Sequence, residues 1–412
     1  MTRERLVAAT LVHCLLLIAD ATLDELTGQG DGNGRPAHSF STAECSLARL
    51  PTSPGPSRAP ITGWCKTMNL DTRVHKETCN HLPSFAPSPT CGALDLADSA
   101  AWMPTEPRTL WLWGDSVMVQ LWDHLLCFLS NHVSPGSPEG PPGGDYPRKP
   151  VSAPTRPDFR RKLLRTSRHG AAAAERPRVA WGTRGVKGNL LAHPLEWSPE
   201  LADLECMPFR PCVRFGNLRV CFGEKWQDSA WASNAGVSCF LNSRPDDVHV
   251  FNFGLWHNNP LGVPNAVGYM IRFLQDSARA RKQAPPHLVW SESLPQHFKA
   301  PGGLYHDDTS KIKPGCMQTA HHEKLSNFRN KLTLPMLDNS SLLDVAPVHV
   351  FRGWRLLAGY PRSHNHKVDS KLDCTHWCQY DGSVLSAVVH ILLSDISRAF
   401  WGRSWGSDAA TK

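Results

Sequence analysis

The sequence predicts an α/β domain with a mostly parallel central sheet covered by helices on both faces, behind a Cys/Pro-rich N-terminal region. Three observations predict it. Short apolar runs suited to buried strands alternate with stretches of helical period. Polar motifs fall just past the ends of those runs. The cysteines are numerous, and even in number once a leader is set aside.

The 412 residues suffice for one large core, with or without a small appended unit. A hydrophobic fraction of 41% and a charged fraction of 20% place the chain among globular proteins. The formal charge of +7 is mild and no dense Lys/Arg helix or finger motif accompanies it, so nucleic acid is not an expected partner.

Residues 1–21 read as an export signal. Arg3 and Arg5 give a basic start, Leu6 to Ile18 an apolar stretch, and Ala19-Asp20-Ala21 a small-x-small cleavage site. The stretch is shorter than the roughly 20 residues of a bilayer span. Ala19 to Leu23 could extend it, so both cleavage and retention as an anchor stay open, and such an anchor is the only membrane contact expected. Of thirteen cysteines, Cys14 lies in the leader, and the remaining twelve would pair in an oxidising compartment. Asn339-Ser340-Ser341 is a glycosylation acceptor consistent with that route.

Residues 22–105 are loop-rich and carry Cys45, Cys65, Cys79 and Cys91, which predicts a disulfide-stapled region leading into a main domain at 106–400. Within that domain, residues 134–178 begin Ser134-Pro135-Gly136 and lack sustained apolar period, as expected of a mobile insertion. Residues 401–412 form a tail. Thr109 to Trp113, Val248 to Phe253, His287 to Trp290 and Leu343 to Phe351 are strand candidates. Val117 to Leu129 places Val117, Leu121, Leu125 and Phe128 at helical spacing, and Ser383 to Ile396 predicts a closing amphipathic helix.

Two motifs supply the chemistry. Gly114-Asp115-Ser116 follows a strand candidate and opens a helix, so Gly114 allows a tight exit and backbone N–H groups gather near Ser116. By itself the tripeptide reads first as an ordinary helix cap. Asp373-Cys374-Thr375-His376-Trp377-Cys378 changes the balance, since a carboxylate three residues before a histidine can orient the imidazole if one turn of backbone presents both. Ser116, His376 and Asp373 are thus a candidate nucleophile, base and orienting acid. Cys374, His376 and Cys378 could instead ligate zinc. No second Cys/His pair of finger-like spacing follows, so disulfides and no metal site are expected. A structural histidine in a Cys-pinned turn remains the alternative.

Asn252, in Val250-Phe251-Asn252-Phe253-Gly254-Leu255-Trp256-His257, could donate to an oxyanion together with the Ser116 N–H, or simply cap the next turn. Trp256 and His257 are candidate substrate contacts. So is His297, in Pro295-Gln296-His297-Phe298, which ranks below His376 as a base for want of a matching carboxylate.

These motifs, in this order, resemble the trichome-birefringence-like / PC-esterase family of the SGNH (GDSL-like) hydrolase clan. The matches are Gly-Asp-Ser with Gln120 and Leu125-Leu126-Cys127 following, Asn-x-Gly-x-Trp at Asn252, Pro-Gln-His-Phe, and the late Asp-Cys-x-His-Trp-Cys. They cover roughly residues 106–133 and 245–397. The resemblance implies an SGNH-like three-layer sandwich with Ser116, Asp373 and His376 as triad and Asn252 as oxyanion donor. It also implies residence in the Golgi lumen or outside the cell. The clan's oxyanion glycine has no assigned counterpart, Gly182, Gly185 and Gly188 being the candidates, and the N-terminal cysteines depart from the plant-type pattern.

The function so implied is O-acyl transfer, most often O-acetyl, to a polysaccharide or glycan hydroxyl through an acyl-serine. The acyl donor enters as a co-substrate and no bound cofactor is needed. Trp256, Trp377 or other Trp could form platforms for sugar rings. An esterase would use the same triad with water as acceptor, and a non-catalytic polysaccharide-binding protein could keep the fold alone.

Overall fold

The computed structural model describes residues 45–50, 79, 82–93, 95, 103–133, 206, 210–225, 239–252, 267–268, 271, 274–275, 278–279, 283–300, 303–305, 312–317, 328–338, 348–368, 371–378 and 382–401. The signal segment, the 134–178 insertion, the three candidate glycines and Asn339 lie outside them.

Alternation in the strands builds the centre of the molecule. In β3 (Arg108–Gly114), Leu110 and Leu112 enter one core while Trp111 and Trp113 enter another on the opposite face. The same division runs through β6 (Val248–Phe251) and β7 (His287–Ser291), where Val248, Val250 and Val289 face the first core, and Phe251, Leu288 and Trp290 the second. A sheet apolar on both faces must be covered on both. Helix α1 (Ser116–His132) contributes to the first core, and Leu337, on α2 (Phe328–Asp338), to the second.

Six strands form the sheet, in the order β10 (Val348–Phe351), β7, β6, β3, β5 (Leu218–Lys225), β4 (Arg210–Phe215). All neighbours pair in parallel except β4 and β5, which form an antiparallel edge hairpin. The chain leaves β3 and places later strands on both of its sides, so the C-terminal end of β3 is a topological switch point. Ser116 follows that end directly.

The strand expectations at 109–113, 248–253, 287–290 and 343–351 each coincide with an observed strand; the second ends at Phe251, and residues 343–347 of the fourth lie outside the described residues, the strand there being Val348–Phe351. The closing helix α4 (Val384–Phe400, after the short α3, Gly353–Leu357) is capped by Ser383, whose Oγ accepts the Ser386 N–H at 3.2 Å. The β4–β5 hairpin was not foreseen. Its signal was the Gly216-Asn217 turn, with Gly216 at φ +53°, between two strand-forming runs, and Cys212–Cys221 staples it.

The described N-terminal residues, among 45–50 and 82–93, pack with this core. His38–Lys412 is one compact unit. The β1 (Leu47–Arg49) and β2 (Phe85–Pro87) strands pair antiparallel, and Leu47, Phe85 and Cys91 belong to the α1/α4 core. Cys45–Cys91 closes the region on itself, whereas Cys79–Cys378 ties it to the C-terminal motif across 299 residues of chain. Cys206–Cys239 and Cys316–Cys374 complete five disulfides among the described residues, where no helix is long and apolar enough to cross a membrane. The disulfides fit a secreted or lumenal protein.

Candidate active site

Gly114 ends β3 at φ +154°, and a Cβ there would meet Met118 Cγ at 2.5 Å and the Asn252 carbonyl oxygen at 2.8 Å. Only glycine lets the strand turn this tightly beside β6. Asp115 then caps α1, its Oδ1 accepting the Val117 and Met118 N–H groups at 2.9 and 3.4 Å. Ser116 is the first helical residue. Burial pushes the Asp115 carboxyl upward, opposed by those two N–H groups and by the charges of His376 and Arg329. The cap is therefore Asp115, and the Ser116 hydroxyl is not needed for that task.

The histidine arrives on an antiparallel ribbon, β11 (His364–Val368) with β12 (Lys371–Trp377), outside the main sheet. Residues three apart on a regular strand face opposite ways. The strand therefore curls where it ends. Asp373 Oδ1 accepts the N–H of Thr375 at 2.9 Å and of His376 at 3.0 Å, bringing the ring back over its own carboxylate. An Asx-type turn replaces the expected plain backbone turn. His376 Nδ1 then donates to Asp373 Oδ2 at 2.8 Å, and His376 Nε2 meets Ser116 Oγ at 2.7 Å.

Two residues 260 apart in sequence thus lie within hydrogen-bond reach, in the order hydroxyl, imidazole, carboxylate, which is the arrangement that activates a serine for attack. Burial of Asp373 raises its pKa. The hydrogen bond and charge of His376, with the two N–H groups, outweigh that and hold the carboxyl below its usual value. The imidazole stays accessible, the His376 side chain being 32% exposed against 11% for Asp373.

Several fasteners hold His376 in place. Cys374 bonds to Cys316 and Cys378 to Cys79, two residues to either side of His376, so neither sulfur serves as a metal ligand. Gln120, one turn beyond Ser116, donates Nε2–H to the Trp377 carbonyl at 3.2 Å and accepts the Trp377 N–H at 3.1 Å. Sequence reasoning counted Gln120 in the Gly-Asp-Ser match but left it without a role; a further signal was an amide side chain four residues after the serine, on the same helical face.

Asn252 follows β6 directly, its N–H bonded to the Trp113 carbonyl at 3.0 Å, next to the strand that delivers Ser116. Its Nδ2 donates one hydrogen to the Ser291 carbonyl at 3.0 Å, and an amide nitrogen carries a second. Trp256 and His257 lie outside the described residues.

His297 does not line the cleft. It is fully buried and both ring nitrogens are engaged, with His364 and with the Ala358 carbonyl. Trp377 is buried as well, beneath the His364 ring, and offers no platform to solvent. Near the base stands a group that sequence reasoning passed over. Gln296 Nε2 donates to Thr375 Oγ1 at 2.8 Å, and its Oε1 accepts from Arg329 Nη2 at 3.3 Å and from the Tyr305 N–H at 3.4 Å. Burial pushes the Arg329 guanidinium down to about 10, with Asp115 opposing. The Tyr305 ring packs edge-on against Phe298, centroids 5.5 Å apart, and remains 40% exposed.

No protein-family model matches the chain, and no curated protein matches it either.

Proposed function

We propose that this protein is an O-acyltransferase of the PC-esterase kind, most simply an O-acetyltransferase, acting on carbohydrate hydroxyls through an ester of Ser116. The observation that carries this reading is the unbroken contact from Ser116 Oγ through His376 to Asp373 at a parallel-sheet switch point. The motif order that resembles the family supports it, as does a disulfide pattern suited to the secretory lumen.

In the first half-reaction, His376 Nε2 takes the Ser116 hydroxyl proton while Oγ attacks the donor's acyl carbonyl. The Ser116 N–H and the second N–H of Asn252 receive the oxyanion. Its collapse breaks the bond to the donor's leaving group, which departs with the proton from His376. In the second half, His376 takes the proton of a sugar hydroxyl as that oxygen attacks the acyl-serine. Collapse then returns the proton to Ser116 Oγ. Asp373 stabilises the imidazolium at both stages. Tyr305, exposed and tied through Gln296 to the neighbour of His376, is the aromatic face we assign to the acceptor ring.

A second reading has one observation in its favour. The partial exposure of His376 admits water, which would make the same machinery an esterase. Incubating the protein with an acyl donor, with and without glycan, and locating the label by mass spectrometry tests both. Acyl-Ser116 followed by acylated glycan supports transfer, and free acid as the only product supports the esterase. Glycan binding without any Ser116 adduct from a range of donors would leave a non-catalytic binder.

A further inference from the structure

The Gln296 amide is held in one orientation, and that orientation decides what Thr375 can offer a ligand. Gln296 lies two residues before β8 (Phe298–Lys299), which pairs with β9 (Lys313–Cys316). The next residue, His297, donates its backbone N–H to the Cys374 carbonyl at 3.0 Å, and Cys374 is bonded to Cys316 of β9. Gln296 and Thr375 are thereby held face to face. Gln296 Oε1 accepts from Arg329 Nη2 at 3.3 Å and from the Tyr305 N–H at 3.4 Å. A guanidinium and a backbone N–H can only donate, so this end of the amide is the oxygen. Nε2 is then the atom 2.8 Å from Thr375 Oγ1, and an amide nitrogen donates but does not accept. The direction is anchored beside the serine, because Asp115, the cap of α1, supplies the negative charge that favours the buried Arg329 guanidinium.

Thr375 Oγ1 therefore accepts, and its own hydrogen points away from Gln296. That hydroxyl has no second partner among the described residues. Gln296 is buried and Thr375 half-buried, so the open side of the pair belongs to the threonine. Asp373 Oδ1 accepts the N–H of both Thr375 and His376, which fixes the hydroxyl relative to the imidazole. A donor of set direction thus stands one residue from the base, and one amide ties it to Tyr305 at the rim.

We propose that Thr375 is a specificity-determining residue, its hydroxyl donating to a sugar oxygen adjacent to the one acylated, so that the acceptor is a vicinal diol. The proposal rests on the acyl-transfer reading and names the acceptor that site takes. The oxyanion donors of that reading, Ser116 and Asn252, belong to the main sheet and its helix. Thr375 rides on the ribbon with His376, on the side of the incoming alcohol. As the reacting hydroxyl attacks the acyl carbon, it passes its proton to His376 Nε2. The bond to Ser116 Oγ breaks, and His376 returns the proton there. The adjacent hydroxyl is unchanged throughout. By accepting from Thr375 it fixes which of two neighbouring oxygens faces the imidazole.

The test uses the full chain, 4-nitrophenyl acetate as donor, and methyl glucopyranoside, galactopyranoside and mannopyranoside as acceptors, each beside its monodeoxy analogues. Acetylation at the preferred position should fall about 3- to 10-fold when the adjacent hydroxyl is removed, the worth of one neutral hydrogen bond. Thr375→Val, similar in shape but without the donor, should take the intact and deoxy sugars alike, whereas Thr375→Ser should keep the preference. Gln296→Glu offers the hydroxyl only acceptors, so Thr375 turns its hydrogen inward and the preference should vanish with the threonine still in place. Each preference is a ratio within one sample, so a partly folded variant does not distort it, and Gln296→Glu decides the matter if Thr375→Val does not fold. The same preference in the parent, Thr375→Val and Gln296→Glu overturns the assignment. So does a Thr375→Val loss confined to formation of acyl-Ser116, which would put the hydroxyl at the acyl group. Sugar acetylation by the parent with no preference for an adjacent hydroxyl overturns the diol and leaves acyl transfer standing. Acetate as the parent's only product sinks the acyl-transfer reading, and the diol with it.

Discussion

The two halves of the candidate active site are held by different physics. Ser116 stands where a buried strand of the main sheet becomes a long buried helix, and its placement follows from the apolar core on both faces of β3 and from Gly114. His376 stands on a two-stranded ribbon outside that sheet, fixed by two disulfides, a glutamine clamp and a buried histidine pair. Ser116 is positioned here by burial, and His376 by covalent and polar fasteners. The arrangement puts rigidity where the helix start must hold donors. The small, separable attachments set the base to within hydrogen-bond distance.

The largest effect tests whether the two halves work as one. Asp373→Asn should lower acyl transfer by about 10⁴, since the imidazole loses its tautomer and its counter-charge. The same substitution has a pH signature. The folded-state pKa of Asp373 is depressed, so its contribution to stability is complete above the unfolded value of about 4 and disappears as pH falls through the folded value. Thermal melts at descending pH should show the parent losing more stability in acid than Asp373→Asn.

A second experiment separates the two kinds of fastening. Replacing Cys79 and Cys378 together by Ala should cost about 2–4 kcal/mol of stability in denaturant melts and slow turnover, because the base is the part released. Gly114→Ala should cost about 1–3 kcal/mol through its positive φ and its clash with the Asn252 carbonyl, displacing the serine instead. Equal acylation of Ser116 in the two variants would collapse the distinction drawn between the halves.

Gln120→Ala removes both bonds to Trp377 while leaving the triad residues intact. A loss of up to about 10² in kcat with little change in KM is expected from the shifted base. The smallest effect belongs to the cleft rim. Tyr305→Ala should raise the glycan KM about 3- to 10-fold, the worth of one aromatic stacking contact, and leave hydrolysis of a small aryl ester untouched.

Legibility from the sequence tracks the same division. Val248–Phe251, His287–Ser291 and α1 could be read because alternating or helical apolar period records the burial that makes them. Ser116, Asp373 and His376 could be named because their spacing is local chemistry. The contacts of Gln120, Gln296, Thr375 and His364 could not be read, since each meets a partner far along the chain, and nothing in a linear pattern reports such a meeting. His297 was assigned to the cleft because it follows a strand end, yet its segment continues inward to meet His364.

The amino-acid order alone determined an α/β sheet, a cysteine content suited to disulfides and the three residue types of a candidate triad, because short-range pattern encodes burial, redox chemistry and turn geometry. Only the tertiary structure decided that residues 116 and 376 touch, which cysteines pair, and that two buried imidazoles stand behind the base. These are long-range contacts, and their geometry is fixed by how the layers pack around a common core.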